Sequence, residues 1–167
     1  LARSRGLGDV YKRQILIKSK DDINVTGIPS QKLNGTGAVF LIDSGKTGST
    51  APMVSIFMEK MKSEGFRKMI STQFIKHTNL CVDSFLNGDV KNLFDNTKKL
   101  SKIVLDNFKP MIPDEFHDLW KKGIDSGSYF LKLCGSGGGG YILGFAPNIE
   151  QAKNDLKDYN LEVVYHF

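Results

Sequence analysis

The chain has 167 residues, 40% apolar and 25% charged, with 23 Lys and Arg against 18 Asp and Glu for a formal net charge of +5. That composition belongs to a globular protein of one domain or two small ones, and it excludes collagen-like, coiled-coil, disulfide-scaffold and disordered classes. No apolar run nears the ~20 residues that span a bilayer, so no membrane partner is expected.

The positive charge is local. Residues 1–14 hold Arg3, Arg5, Lys12 and Arg13 against Asp9, a net of +3, which leaves 19 positive and 17 negative charges in the rest. Residues 15–167 therefore carry no field that argues for nucleic acid. The segment Asp9-Val10-Tyr11-Lys12-Arg13-Gln14 back-translates as GAT GTG TAT AAG AGA CAG, which resembles a transposon end used in preparing sequencing libraries. Residues 1–14 are accordingly read as translated adapter, the alternative being a disordered basic tail. No apolar segment of signal-peptide type follows the charges. A reading frame opened inside a gene would leave the N-terminal part of the protein missing.

Ile15 to Ile17 reads as a short strand remnant and Lys18 to Thr36 as a polar loop or hairpin. Gly37 to Asp43 is a nearly continuous apolar run of strand length, the pattern of a strand covered on both faces. Met53, Val54, Phe57, Met58 and Met61 recur at helical spacing up to Gly65, with Met53, Phe57 and Met58 expected in the core. Ile70, Phe74, Cys81 and Phe85 make a second stripe, with His77 in register. Asn87-Gly88 is a stop and Asp89 an N-cap for a helix that buries Val90, Leu93, Phe94, Leu100, Val104 and Leu105. Pro110 breaks it; Pro113 starts another that carries Phe116, Leu119, Trp120 and Ile124. Beyond Gly127 follow a strand over 129–134, a glycine tract over 135–140, a strand over 141–145, a helix over 147–159 and a strand over 161–166. The order β, helices, β, β, α, β predicts an α+β fold, a ferredoxin-like split βαβ sheet with extra helices in its first crossover.

Cys81 and Cys134 are isolated in apolar surroundings, read as small buried hydrophobes in a reducing, cytoplasmic compartment. His77, His117 and His166 are scattered, so no metal site is expected.

The feature with chemical content is Gly135-Ser136-Gly137-Gly138-Gly139-Gly140. Consecutive glycines open φ > 0 and strip Cβ atoms from one face, so that a phosphate or another backbone can approach and successive amides can converge on an anion. A linker or a close-packing turn would also use glycine, but a tract this short between two apolar strands favours a loop that faces a site. It spells GxGxxG, yet a strand and not a helix follows, which excludes the dinucleotide fingerprint. A protein-kinase glycine loop fails as well, since too little chain follows for the lysine strand and catalytic loop.

Lys132-Leu-Cys-Gly-Ser-Gly-Gly-Gly-Gly140 followed by a strand resembles the third motif of the GHMP kinases, K-x-T/C-G-A/S-G-G-G-G, whose members phosphorylate galactose, homoserine, mevalonate and related metabolites. Within the family the nearer resemblance is to mevalonate kinases, bacterial forms especially. Leu41 to Val54 looks like the family's strand, loop and helix start, and the resemblance extends over 15–167 as a C-terminal lobe alone. It implies a phosphotransferase acting on an alcohol with ATP and Mg2+, neither of them held by this fragment alone. Gly135 to Gly140 would face the transferring phosphate, while Lys46, Ser49 and Thr50 would face a small-molecule acceptor, mevalonate. A homodimer is open to the intact enzyme. Phosphomevalonate kinase, diphosphomevalonate decarboxylase and a non-catalytic ferredoxin-like ligand-binding module are the alternatives.

The sequence also departs from the family. The phosphate loop Gly-Leu-Gly-Ser-Ser is absent, Gly6-Leu7-Gly8 being followed by Asp9-Val10, and no residue matches the catalytic aspartate; Asp21, Asp22 and Asp43 are not assigned that role. Cys134-Gly-Ser136 stands where many members have Thr-Gly-Ala, and Tyr141 replaces a small residue after the glycines, with packing behind the loop expected to change. Both the phosphate loop and the aspartate belong to the missing lobe, so the fragment alone is expected to be silent and to expose an apolar face where that lobe docks. Ser49 or Thr50, with Pro52 just inside the helix, reads by itself as a plain N-cap; the resemblance adds a carboxylate-binding helix end helped by Lys46.

Overall fold

The computed structural model describes residues 13–19 and 21–167. It is an α+β structure in which β1 (Arg13–Ser19) and β2 (Asp22–Gly27) form an antiparallel hairpin apart from a four-stranded antiparallel sheet. Residues 1–12 of the segment read as adapter lie outside the described residues; Arg13 and Gln14 pair in β1 with Gly27 and Thr26.

The sheet consists of β3 (Ala38–Asp43), β4 (Phe130–Leu133), β5 (Tyr141–Ala146) and β6 (Leu161–His166) in the order β4-β5-β3-β6. Each neighbouring pair is antiparallel, so β3 and β4 are parallel with β5 between them, and β5 and β6 are parallel with β3 between them. The apolar run of β3 has its reason in this central place. Ala38, Phe40 and Ile42 point into the main core with Trp120, Leu131, Ile142 and Ala152, while Val39 is buried on the opposite face. Phe40 lies opposite Gly144, whose missing side chain makes room for the ring: a Cβ there would sit 2.1 Å from the ring tip.

Between β3 and β4 run α1 (Thr50–Lys60), α2 (Glu64–Met69), α3 (Ile75–Leu86), α4 (Val90–Asn107) and α5 (His117–Ser126); α6 (Ile149–Asp155) joins β5 to β6. Several boundaries follow from local chemistry. Gly88 ends the α3 turn at φ 68°, and Asp89 caps α4 by accepting from the Asn92 amide at 3.1 Å. Pro110 sits in a short 3-10 turn over Lys109–Met111 after α4. Asn148 caps α6 by accepting from the amides of Glu150 and Gln151.

Four expectations need correction. Gly65 is not a stop but lies inside α2, because Ser63 caps a new helix by accepting from the Phe66 amide at 3.4 Å. Met58 is 59% exposed and outside the core, since α1 buries no residue fully. The stripe from Ile70 to Phe85 is carried by α3 together with a π-helical turn over Ile70–Phe74 that joins it to α2. That wider turn brings Phe74 against Phe108, their ring centres 5.2 Å apart. Cys81 and Cys134 are half-buried, a weaker burial than expected.

Gly144→Ala drives a methyl into a fully buried ring on a central strand. We expect it to lower stability by about 1–3 kcal/mol, read as a fall in the urea midpoint with an unchanged slope; an unchanged midpoint would mean that Phe40 is free to move.

Candidate functional site

β3 and β4 end, and β5 begins, at the same end of the sheet, so the loops over 44–49 and 134–140 meet there. The glycine tract lies directly on residues 44–48. The Gly140 amide donates to the Lys46 carbonyl at 2.8 Å, and the Ser44 amide donates to the Gly140 carbonyl at 3.0 Å. On its other side the Gly138 amide donates to the Met111 carbonyl at 2.7 Å. Backbone reaches backbone in this way only without side chains. A Cβ on Gly139, at φ 148°, would stand 2.8 Å from the Gly48 nitrogen and 2.9 Å from the Lys46 oxygen. The amides of Gly135, Ser136 and Gly139 have no acceptor among the described residues.

The 3-10 turn that carries Met111 is itself tied down. His117 Nε2 lies 3.1 Å from the carbonyls of both Lys109 and Ile112, so it serves them as the protonated donor nitrogen. Asp114 and Glu115 follow that turn at the entrance to α5. From there Glu115 Oε2 reaches Lys46 Nζ at 2.6 Å, both side chains being partly exposed. The hydrogen bond from Lys46 holds the Glu115 carboxyl below the usual glutamate range. Glu115 is the site residue that sequence reasoning missed: Pro113-Asp-Glu115 carries the marks of a helix start, and nothing local ties its acid to Lys46.

Ser136 Oγ donates to Thr50 Oγ1 at 3.4 Å, a long bond that nonetheless links the glycine tract to the first residue of α1. Ser49 occupies the N-cap position with extended backbone, but its hydroxyl makes no capping bond, contrary to the plain-cap reading. Pro52, third in the helix, removes one of the two N–H groups within reach of a cap side chain and leaves that of Ala51. The same proline leaves this helix end one donor poorer for any bound carboxylate. Ser49 and Thr50 are both exposed. Tyr141 is 52% exposed and so stands out from the sheet, not behind the loop as expected.

Gly135 and Ser136 also line a cavity of about 380 Å³, together with Met53, Phe57, Phe74, Phe108 and Leu133 among others. Val54 and Ile75 border it and, with Met58 one turn further along α1, leave exposed apolar surface beside it. No group of three or more His, Cys, Asp or Glu among the described residues is placed to hold a metal ion. No helix among them is long and apolar enough to cross a membrane.

The sequence matches no protein-family model and has no significant match among curated proteins. Solved structures do match. A Lin0012 protein from Listeria innocua superposes with a TM-score of 0.65 at 15% identity, over 85% of this chain and 44% of its own. Phosphomevalonate kinase of Streptococcus pneumoniae, a GHMP family member, superposes with a TM-score of 0.59 at 13% identity, over 97% of this chain and 47% of its own. The fold is therefore similar to that of a GHMP kinase, and the chain spans less than half the length of either structure.

Two outcomes are expected. Gly139→Ala should cost about 1–3 kcal/mol by parting the two loops, read by urea unfolding. In a carboxyl NMR titration, Glu115 should titrate below the ordinary value of about 4.3 and return to it in Lys46→Met. A folded value below the unfolded one means that the pair stabilises the protein above the ordinary range and loses that contribution as pH falls through the lowered value; equal midpoints in the two proteins would remove the pair from solution.

Proposed function

We propose that this chain is the C-terminal lobe of a GHMP small-molecule kinase, a ferredoxin-like split βαβ lobe whose parent transfers the γ-phosphoryl group of ATP to mevalonate. The observation that carries the reading is the seating of the glycine tract on residues 44–50. It gathers the two segments of the family resemblance into one place, through the Gly140 amide on Lys46 and through Ser136 on Thr50.

Phosphoryl transfer asks a protein mainly to align two reactants and to stabilise charge between them. The side-chain-free tract suits the first demand, since a phosphate can approach its backbone closely, and the amides of Gly135, Ser136 and Gly139 suit the second. Bound ATP with Mg2+ would supply the phosphoryl group. In this reading the metal ligands and the catalytic aspartate come from the other lobe. On this lobe, Thr50 and Ser49 face the acceptor, and Lys46 meets its carboxylate by exchanging Glu115 for it. The exposed Val54, Met58 and Ile75 give the other lobe an apolar seat. A cytoplasmic location and a homodimer of the intact enzyme belong to the same reading.

Phosphomevalonate as acceptor is the second reading, supported by the fold's similarity to the Streptococcus pneumoniae enzyme of that name.

The test is turnover by the complete gene product that carries this chain, given Mg2+ and ATP with mevalonate, phosphomevalonate, diphosphomevalonate or no acceptor. ADP release that depends on mevalonate is expected, with none from residues 1–167 alone. Thr50→Val should lower kcat/KM about tenfold, the worth of one hydrogen bond. Release only with phosphomevalonate selects the second reading, and CO2 release with diphosphomevalonate a decarboxylase. No turnover with any acceptor overturns the kinase proposal in favour of a binding module.

A further inference from the structure

The face of the sheet away from the main core borders a second cavity, also of about 380 Å³. Val39, Leu143 and Phe145 of the sheet, Phe85 and Leu100 of α3 and α4, and Leu16 of the hairpin are among the residues that line it. A space of this size has the dimensions of a small-ligand pocket.

Its polar groups are already engaged, with one exception. Thr97 Oγ1 donates to the Leu93 carbonyl at 2.7 Å, Thr78 Oγ1 to the Phe74 carbonyl at 2.8 Å and Tyr165 Oη to the Pro29 carbonyl at 2.8 Å. Cys81 Sγ lies 3.5 Å from Thr97 Oγ1. The exception is Lys132, the charged residue of the wall, half-buried on β4 opposite Leu143. Its ammonium makes a 3.4 Å bond to the Leu133 carbonyl and has no carboxylate partner among the described residues. Burial raises the Cys81 thiol above its ordinary value, and the Lys132 charge works against that shift, which places the ammonium within electrostatic reach of Cys81.

An apolar cleft with one cation on its wall that has no carboxylate partner among the described residues is complementary to an amphipathic anion. A cationic amphiphile would be repelled, and an uncharged apolar guest would cover the ammonium without pairing it. We propose that this cavity binds a medium-chain aliphatic carboxylate, its tail lying among Val39, Leu143, Phe145 and Phe85 and its head on Lys132. Lys132 also borders the cavity lined by Gly135 and Ser136. The assignment uses Lys132, which opens the motif of the family resemblance, but none of Lys46, Ser49 or Thr50, so ligand binding and kinase turnover fail separately.

The experiment is calorimetric titration of the chain with decanoate, decanol and decyltrimethylammonium. Saturable one-to-one binding of decanoate is expected, at least tenfold tighter than either analogue, in keeping with a charge-assisted hydrogen bond. Lys132→Met should remove that margin and leave decanol binding unchanged. If the variant fails to fold by circular dichroism, the comparison of the three ligands on the unmodified chain decides. A second readout locates the ligand: saturating decanoate should slow alkylation of Cys81 severalfold, read on its peptide by mass spectrometry, and leave Cys134 unaffected. No saturable binding, equal affinity for decanoate and decanol, or an unprotected Cys81 would each overturn the proposal.

Discussion

Three stretches far apart in the sequence meet where backbone packs on backbone without intervening side chains. The glycine tract donates from Gly138 to Met111 and from Gly140 to Lys46, while Ser44 donates back to Gly140. These bonds join the turn between β4 and β5, the loop after β3 and the 3-10 turn after α4. Because the Lys46 carbonyl is held, its side chain leaves the loop at one fixed point, from which Glu115 is in reach. His117 holds the 3-10 turn from beneath, so a residue outside the site sets the position of the Met111 carbonyl on which the tract rests. Steric exclusion is the constraint: any side chain at Gly139 would force the two loops apart.

The frame of the fold was legible where a local signal and the tertiary structure agree. The apolar run of β3, the Asn87-Gly88-Asp89 junction and the span of β6 are all read from residues that serve the same end locally and globally. The failures have physical causes as well. Gly65 looked like a stop because glycine is a poor helix former, but Ser63 capped a helix around it. The π turn has no residue signature of its own, since it depends on where Phe74 finds Phe108. Strand β2 is mostly exposed, and pairing with β1 rather than a buried face defines it.

At the candidate site, the contact of the glycine tract with another loop was foreshadowed by its composition, because consecutive glycines between two strands allow backbone to approach backbone. The Lys46 and Glu115 pair was not, as the two lie 69 residues apart and meet through a turn whose orientation is set elsewhere. Pro52 was visible in the sequence, yet its consequence for Ser49 emerges only once Thr50 is known to open the helix. Fold alone does not choose a chemistry. The candidate site is formed by three loops at one end of the sheet, and the helices behind them hold those loops in place.

The place of β3 has a consequence during synthesis. Neither of its neighbours is near in sequence: β5 begins at Tyr141 and β6 at Leu161, while β3 ends at Asp43. Ribosomes add roughly 5–20 residues per second, so an apolar strand destined for the middle of the sheet waits on the order of 10 s for its second edge to be made. During that interval the nascent chain carries an unpaired, aggregation-prone segment while its helices, rich in local contacts, are free to form. Once β5 has emerged it can pair with β3, and the four-stranded sheet is complete only after β6 has followed, so the order of synthesis makes the far edge of β3 the last to be covered.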